Sequence, residues 1–130
     1  MVLSGEFGMV DIQPRISVEY TDDATVVAFT DEKILEEMDV RSVRASIEAV
    51  IEQASGIRLV LDFRHVKFLS SAMLGLLIRV SKRIYEQGGE LRLFNIHSGI
   101  YEVFKITRLT SVFDIYEDVE SAIRSLSDRR

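Results

Sequence analysis

Arg58-Leu59-Val60-Leu61-Asp62-Phe63 and, two residues on, Val66-Lys67-Phe68-Leu69-Ser70-Ser71-Ala72-Met73-Leu74-Gly75-Leu76-Leu77 decide the fold. The first stretch is almost continuously apolar, the pattern of a central strand covered on at least one face. The second opens a helix that runs over about 71–87 and closes at Gly88-Gly89. Two hydroxyls, Ser70 and Ser71, therefore stand at a helix N-terminus, where backbone N–H groups are free and the dipole is positive. One reading of the pair is simple capping. The other is that one serine carries a phosphate, adding about −1.5 to −2 charges beside an apolar helix face. Such a place suits a binding switch better than an enzyme.

Along that helix, Met73, Leu76, Leu77, Val80 and Ile84 form the core stripe. Leu74 and Ile78 lie off it, either covered by other elements or exposed as a contact patch. Gly75 costs roughly 1 kcal/mol against Ala inside a helix, which points to close packing there or to mere tolerance.

Upstream, Ile16, Val18 and Tyr20 alternate with polar residues, Asp22-Asp23 marks a turn, and Ala24–Thr30 is a second β-branched run, together an antiparallel hairpin. Asp31–Glu37 reads as a loop or short helical turn. Asp39 is the N-cap expected for a helix carrying Val40, Val43, Ile47, Val50, Ile51 and Ala54, closed by Gly56. Downstream come a strand over 90–96, a turn at 97–99, a short helix with Ile100, Val103, Phe104 and Thr107, a last strand over 111–115, and a final helix with Val119, Ala122, Ile123 and Leu126. Residues 1–14 read as an irregular N-terminal tail, 15–127 as one domain, and 127–130 as a polar end. Strand–helix alternation after a hairpin predicts an α/β fold with a mixed, mostly parallel sheet.

Composition narrows the function. The chain has 130 residues, 47% hydrophobic and 28% charged, enough for one core. A net charge of −5 disfavours direct, non-specific nucleic-acid binding. The absence of cysteine excludes disulfides, thiolate catalysis and zinc–sulfur sites. No apolar run approaches the roughly 18 residues of a membrane span. The first ten residues lack the basic start of a signal peptide, so the expected location is cytoplasmic. No metal or phosphate-loop motif occurs, and no cofactor is expected. Asp62 and His65 hint at acid–base chemistry, but neither is visibly paired with a nucleophile. His65 and His97 are read as surface histidines. Asp22, Asp23, Asp31, Glu32, Glu36, Glu37 and Asp39 crowd the first third as a solvated face or a surface that steers a basic partner.

From about Ile16 to Leu126, and most clearly over 58–116, the chain resembles the STAS domain of bacterial anti-sigma-factor antagonists. The family signature Asp-Ser-Ser-Gly-Leu-Gly meets Ser70-Ser71-Ala72-Met73-Leu74-Gly75 here. Gly88-Gly89-Glu90-Leu91-Arg92-Leu93 resembles the family's helix end and next strand. Ile100–Leu109 resembles its following helix and turn, and Val112–Tyr116 its last strand. The resemblance implies a STAS fold and a phosphorylation-controlled protein-binding module. Its unphosphorylated form would sequester an anti-sigma-factor serine kinase and so free a sigma factor, with a serine phosphatase resetting it. By register the phosphoacceptor is Ser71, with Ser70 the alternative, and the contact residues are Ser70, Ala72, Met73, Leu74 and Ile78. The chain departs from the signature at Ser70, where the family has aspartate, at Ala72 and at Met73. Those departures favour, as the second reading, a non-phosphorylated STAS scaffold in a signalling or lipid-transport complex. A small enzyme using Asp62, His65 or Ser71 is the third. Oligomeric state is left open.

Overall fold

The computed structural model describes residues 2–3, 10–13 and 15–126. Part of the segment expected to be an irregular tail is strand: β1 (Val2–Leu3) pairs antiparallel with β2 (Val10–Gln13), and β2 with β3 (Ile16–Tyr20). Four residues of alternation beside a proline carry little strand signal alone. The open edge of β3 supplies the hydrogen-bond partners that make them one. The rest of 1–14, and the polar end at 127–130, lie outside the described residues.

β3 forms the expected hairpin with β4 (Thr25–Phe29), Ile16 opposite Phe29 and Tyr20 opposite Thr25. The stretch read as a loop or helical turn contains β5 (Lys33–Ile34), and α1 (Glu37–Ile51) follows. Asp39 is not the N-cap. Glu36 holds that position, and the Asp39 carboxylate, three residues into the helix, accepts the Glu36 backbone N–H at 3.2 Å. The helix ends at a Glu52 cap rather than at Gly56, whose φ of 71° instead turns the chain into β6 (Arg58–Asp62). Next come β7 (Phe68–Leu69), α2 (Ser71–Glu86), β8 (Glu90–Phe94) and α3 (Ser98–Ile106). The strand expected over 111–115 is shorter and later. Leu109–Ser111 form a 3-10 turn and β9 is only Ile115–Tyr116, before α4 (Val119–Arg124).

The main sheet runs β1-β2-β3-β4-β6-β8-β9, antiparallel as far as β4 and parallel from β4 onward. β5 and β7 make a separate parallel pair. Period-two alternation sorts the central strands onto two faces. Leu59, Leu61, Phe63, Leu91 and Leu93 join the main core with α1, α2 and α3, while Val60 and Phe94 join a smaller cluster with Ala122 and Leu126 at α4. Both faces of β6 are thus covered, which accounts for its unbroken apolar run.

Arg92 is the polar exception within β8. Its buried guanidinium donates to Ser125 Oγ at 2.8 Å, the Ser125 carbonyl at 3.2 Å and Glu90 Oε2 at 3.2 Å, tying α4 to the sheet. Gly89 is obligatory where α2 gives way to β8, because a Cβ there would stand 2.4 Å from the Ile57 carbonyl oxygen.

Candidate functional site at the start of helix α2

Asp62 ends β6 buried, and its carboxylate is fully employed by the loop that follows. It accepts the Arg64 backbone N–H at 2.9 Å and the Asn95 side-chain amide at 3.3 Å, and pairs with the Arg64 guanidinium at 3.5 Å. A base so occupied braces two loops. His65 is exposed and takes no part. His97 is more than a surface residue: its Nε2 lies 2.7 Å from the Arg64 carbonyl and links the loops after β6 and β8.

The chain then crosses to β5. Lys67 and Phe68 donate backbone N–H bonds to the Glu32 carbonyl at 2.8 and 3.1 Å, and Ser70 donates to the Ile34 carbonyl at 3.0 Å. This short ladder places the two serines, and they have different tasks. Ser70, extended at φ −88° and ψ 166°, is the N-cap of α2, and its Oγ accepts the Met73 N–H at 3.2 Å. Ser71 is the first helical residue and is exposed, and its hydroxyl has no hydrogen-bond partner among the described residues. No acidic residue stands in the first turn of α2, so the positive end of its dipole is unanswered.

The remaining expected contact residues separate. Ala72 is exposed, Leu74 half-buried against the core, and Ile78 is 41% exposed. Met73 is 0% exposed and belongs to the core, so it cannot touch a partner. One residue serves two readings only if it lies between faces, and Met73 points straight at the sheet. The packing role considered for Gly75 is likewise absent. A Cβ there would meet only Arg79 Nη1, at 3.5 Å.

Exposed apolar residues lie on both sides of the serines; periodicity already set Leu74 and Ile78 off the core stripe, while Leu35, Met38 and Phe68 carried no such signal. On one side, Leu35, Met38 and Phe68 are 48%, 75% and 50% exposed around the β5–β7 pair. The other follows from helix geometry. Leu76, Arg79, Val80 and Arg83 line a small cavity against α1, so Leu74 and Ile78 occupy the opposite flank of α2. Tyr101 of α3 lines a cavity with Ile115 and Tyr116, so Val103 and Ile106, 40% and 78% exposed, occupy the other flank of α3. A cavity of about 710 Å³ lies elsewhere, at the carboxyl ends of the parallel strands between Arg64, His97, Tyr101 and Tyr116.

This sheet and its packed helices are those of a known family. The model of the STAS domain matches residues 15–122, and the chain belongs to that family. The anti-sigma-B factor antagonist of Bacillus subtilis (strain 168) is 30% identical over 91 residues, 68% of this chain and 82% of that protein. The anti-sigma F factor antagonist of Paenibacillus polymyxa is 23% identical over 84 residues, 65% of this chain and 72% of that one. Among solved structures, an anti-sigma-factor antagonist (STAS) domain protein from Planctomyces limnophilus superposes with a TM-score of 0.76 at 25% identity, covering 86% of this chain and 97% of its own. Among the described residues, no helix is long and apolar enough to cross a membrane.

Proposed function

We propose that this protein is an anti-sigma-factor antagonist controlled at Ser71: unphosphorylated, it sequesters an anti-sigma-factor serine kinase and frees a sigma factor. The observation that carries the reading is the division of labour between the hydroxyls. Ser70 is spent on the cap, while Ser71 is exposed and free at an uncharged helix start. The names of the relatives support the class of partner. The apolar groups on either side supply contact area, Leu35, Met38 and Phe68 on one and Leu74 and Ile78 on the other. A phosphoryl group between them would have to be desolvated on docking, which costs more than a neutral hydroxyl and releases the partner. A serine phosphatase restores the binding form. The protein acts by binding and carries out no reaction of its own.

The test is incubation with the cognate kinase and ATP, read by intact mass and by complex formation. Wild type should gain one phosphoryl group, Ser71→Ala none, and Ser71→Asp should fail to bind the kinase. Phosphorylation at Ser70 alone would overturn the assignment. The serine, alanine and methionine standing where the family signature has aspartate, serine and glycine favour a second reading, a constitutive scaffold. That reading requires the same partners to bind wild type and Ser71→Asp equally.

A further inference from the structure

Of the basic residues of α2, Arg79 and Lys82 have no carboxylate partner among the described residues, and of these two only Arg79 lies against Gly75. Arg83, one turn on, reaches Glu52 at 3.7 Å and Glu48 at 4.0 Å. Arg79 has no carboxylate partner among the described residues, although it is exposed and α1 presents Glu48 across the same small cavity. Its guanidinium instead folds back along its own helix, toward the N-terminus, as long helical side chains do. Nη1 comes within 3.5 Å of the point where a Gly75 Cβ would be. Ser71, Gly75 and Arg79 are successive i, i+4 neighbours, whose Cβ positions lie about 5–6 Å apart. Glycine at the middle position leaves the path between the outer two bare.

We propose that Arg79 is the internal counter-ion of a phosphoryl group on Ser71, reaching it across the uncovered backbone of Gly75. The inference rests on Ser71 as phosphoacceptor and adds the residue that reads the modification. A phosphoserine extends its oxygens a few ångströms from Cβ, and a guanidinium donates to them through its planar fork. Two things then happen to the exposed face of α2. It gains a charge, and Arg79 is drawn over the Ser71–Gly75 stripe, covering backbone that a partner otherwise approaches. The glycine, which packs against nothing else, thus has a use.

The experiment needs no kinase. Phosphoserine is incorporated at position 71 of the full chain during translation, and its second pKa is followed by 31P NMR in the parent, Arg79→Gln and Arg83→Gln proteins. The dipole of α2 acts equally in all three. Arg79 should hold the phosphate pKa about 0.15–0.4 unit below its value in Arg79→Gln, the scale of one exposed helical ion pair for the single charge gained in that titration. Arg83→Gln should move it much less, and the Arg79 difference should shrink at roughly 0.5 M salt. Gly75→Leu, which keeps Arg79 but obstructs its path, should resemble Arg79→Gln. An unchanged pKa in Arg79→Gln, or equal changes in the two arginine variants, would overturn the pairing. The two levels come apart cleanly. An Arg79-dependent pKa in a protein that no kinase modifies at Ser71 sinks the proposed function and leaves the pairing. Kinase modification of Ser71 with a pKa indifferent to Arg79 does the reverse.

Discussion

Helices α1 and α2 lie side by side on one face of the sheet, yet their N-termini are built in opposite ways. The start of α1 is closed with charge. Asp39 accepts the Glu36 N–H, Glu37 adds a second carboxylate, and Arg15 binds Asp31 at 2.7 Å and Asp39 at 2.9 Å. Asp31, with Asp39 behind it, holds the Arg15 guanidinium proton more firmly than usual. The start of α2 is closed by one neutral hydroxyl, with no acid in its first turn and a free serine next to it. A fixed carboxylate satisfies a helix dipole permanently. A neutral cap leaves the dipole without a fixed charge. A phosphate at α1 would meet existing anions, whereas at α2 it meets free N–H groups.

The comparison breaks most visibly at Met73. If the start of α2 is held by its core anchor, Met73→Ala should lose about 3 kcal/mol of stability in urea denaturation. A stable variant that had lost only partner affinity would return Met73 to the contact surface. Next in size is the contrast between the serines. Ser70→Ala should cost about 1 kcal/mol through the lost cap, and Ser71→Ala under about 0.5 kcal/mol. Equal costs from the same denaturation curves would erase the division of labour on which the functional reading stands. Gly75→Ala should act in the other direction. With only the tip of Arg79 nearby, alanine is expected to stabilise α2 by somewhat under about 1 kcal/mol, and a lowered Tm would reveal packing that the structure lacks.

The smallest effect concerns a third helix start, at α4, which like α1 is closed by a carboxylate. Asp118 accepts the Ser121 N–H at 2.7 Å, and that bond holds its carboxyl below the usual range. A depressed carboxylate contributes stability above its unfolded pKa of about 3.9, and the contribution disappears as pH falls through the lower folded value. Fraying of α4, followed by amide chemical shifts of Ser121 and Ala122, should therefore increase as pH falls through that range in wild type. Asp118→Asn should remove this pH dependence. The start of α2, capped by a hydroxyl, should show no matching step.

Where an element has enough length to repeat its pattern, it was legible. Alternation located β3, apolar runs located β4 and β6, and 3.6-residue spacing located α1, α2 and the buried residues of α2. The elements that escaped, β1, β2, β5 and β7, are two to four residues long, and the last strand, β9, was expected a few residues too early. Such short strands have no period to read, and they exist because another strand lies beside them. The cap of α1 escaped because Asp is the better N-cap by residue type, and only the bond from the Glu36 N–H to the Asp39 carboxylate shows that Asp39 serves from inside the helix. Asp62 and His65 looked like chemistry because a carboxylate and an imidazole were close in sequence. Folding instead directs the carboxylate to Arg64 and Asn95.

By itself the sequence determined the α/β alternation, the serine pair at a helix start and the resemblance to the family signature, because these are carried by neighbours along the chain. Tertiary structure alone decided which serine caps and which is free, that Met73 faces inward, and that Leu35, Met38 and Phe68 remain exposed. It also decided that Arg79 lies over Gly75 rather than on Glu48. Each of those outcomes depends on what a side chain meets from a distant segment, and burial and hydrogen-bond competition are settled only when the segments are packed together.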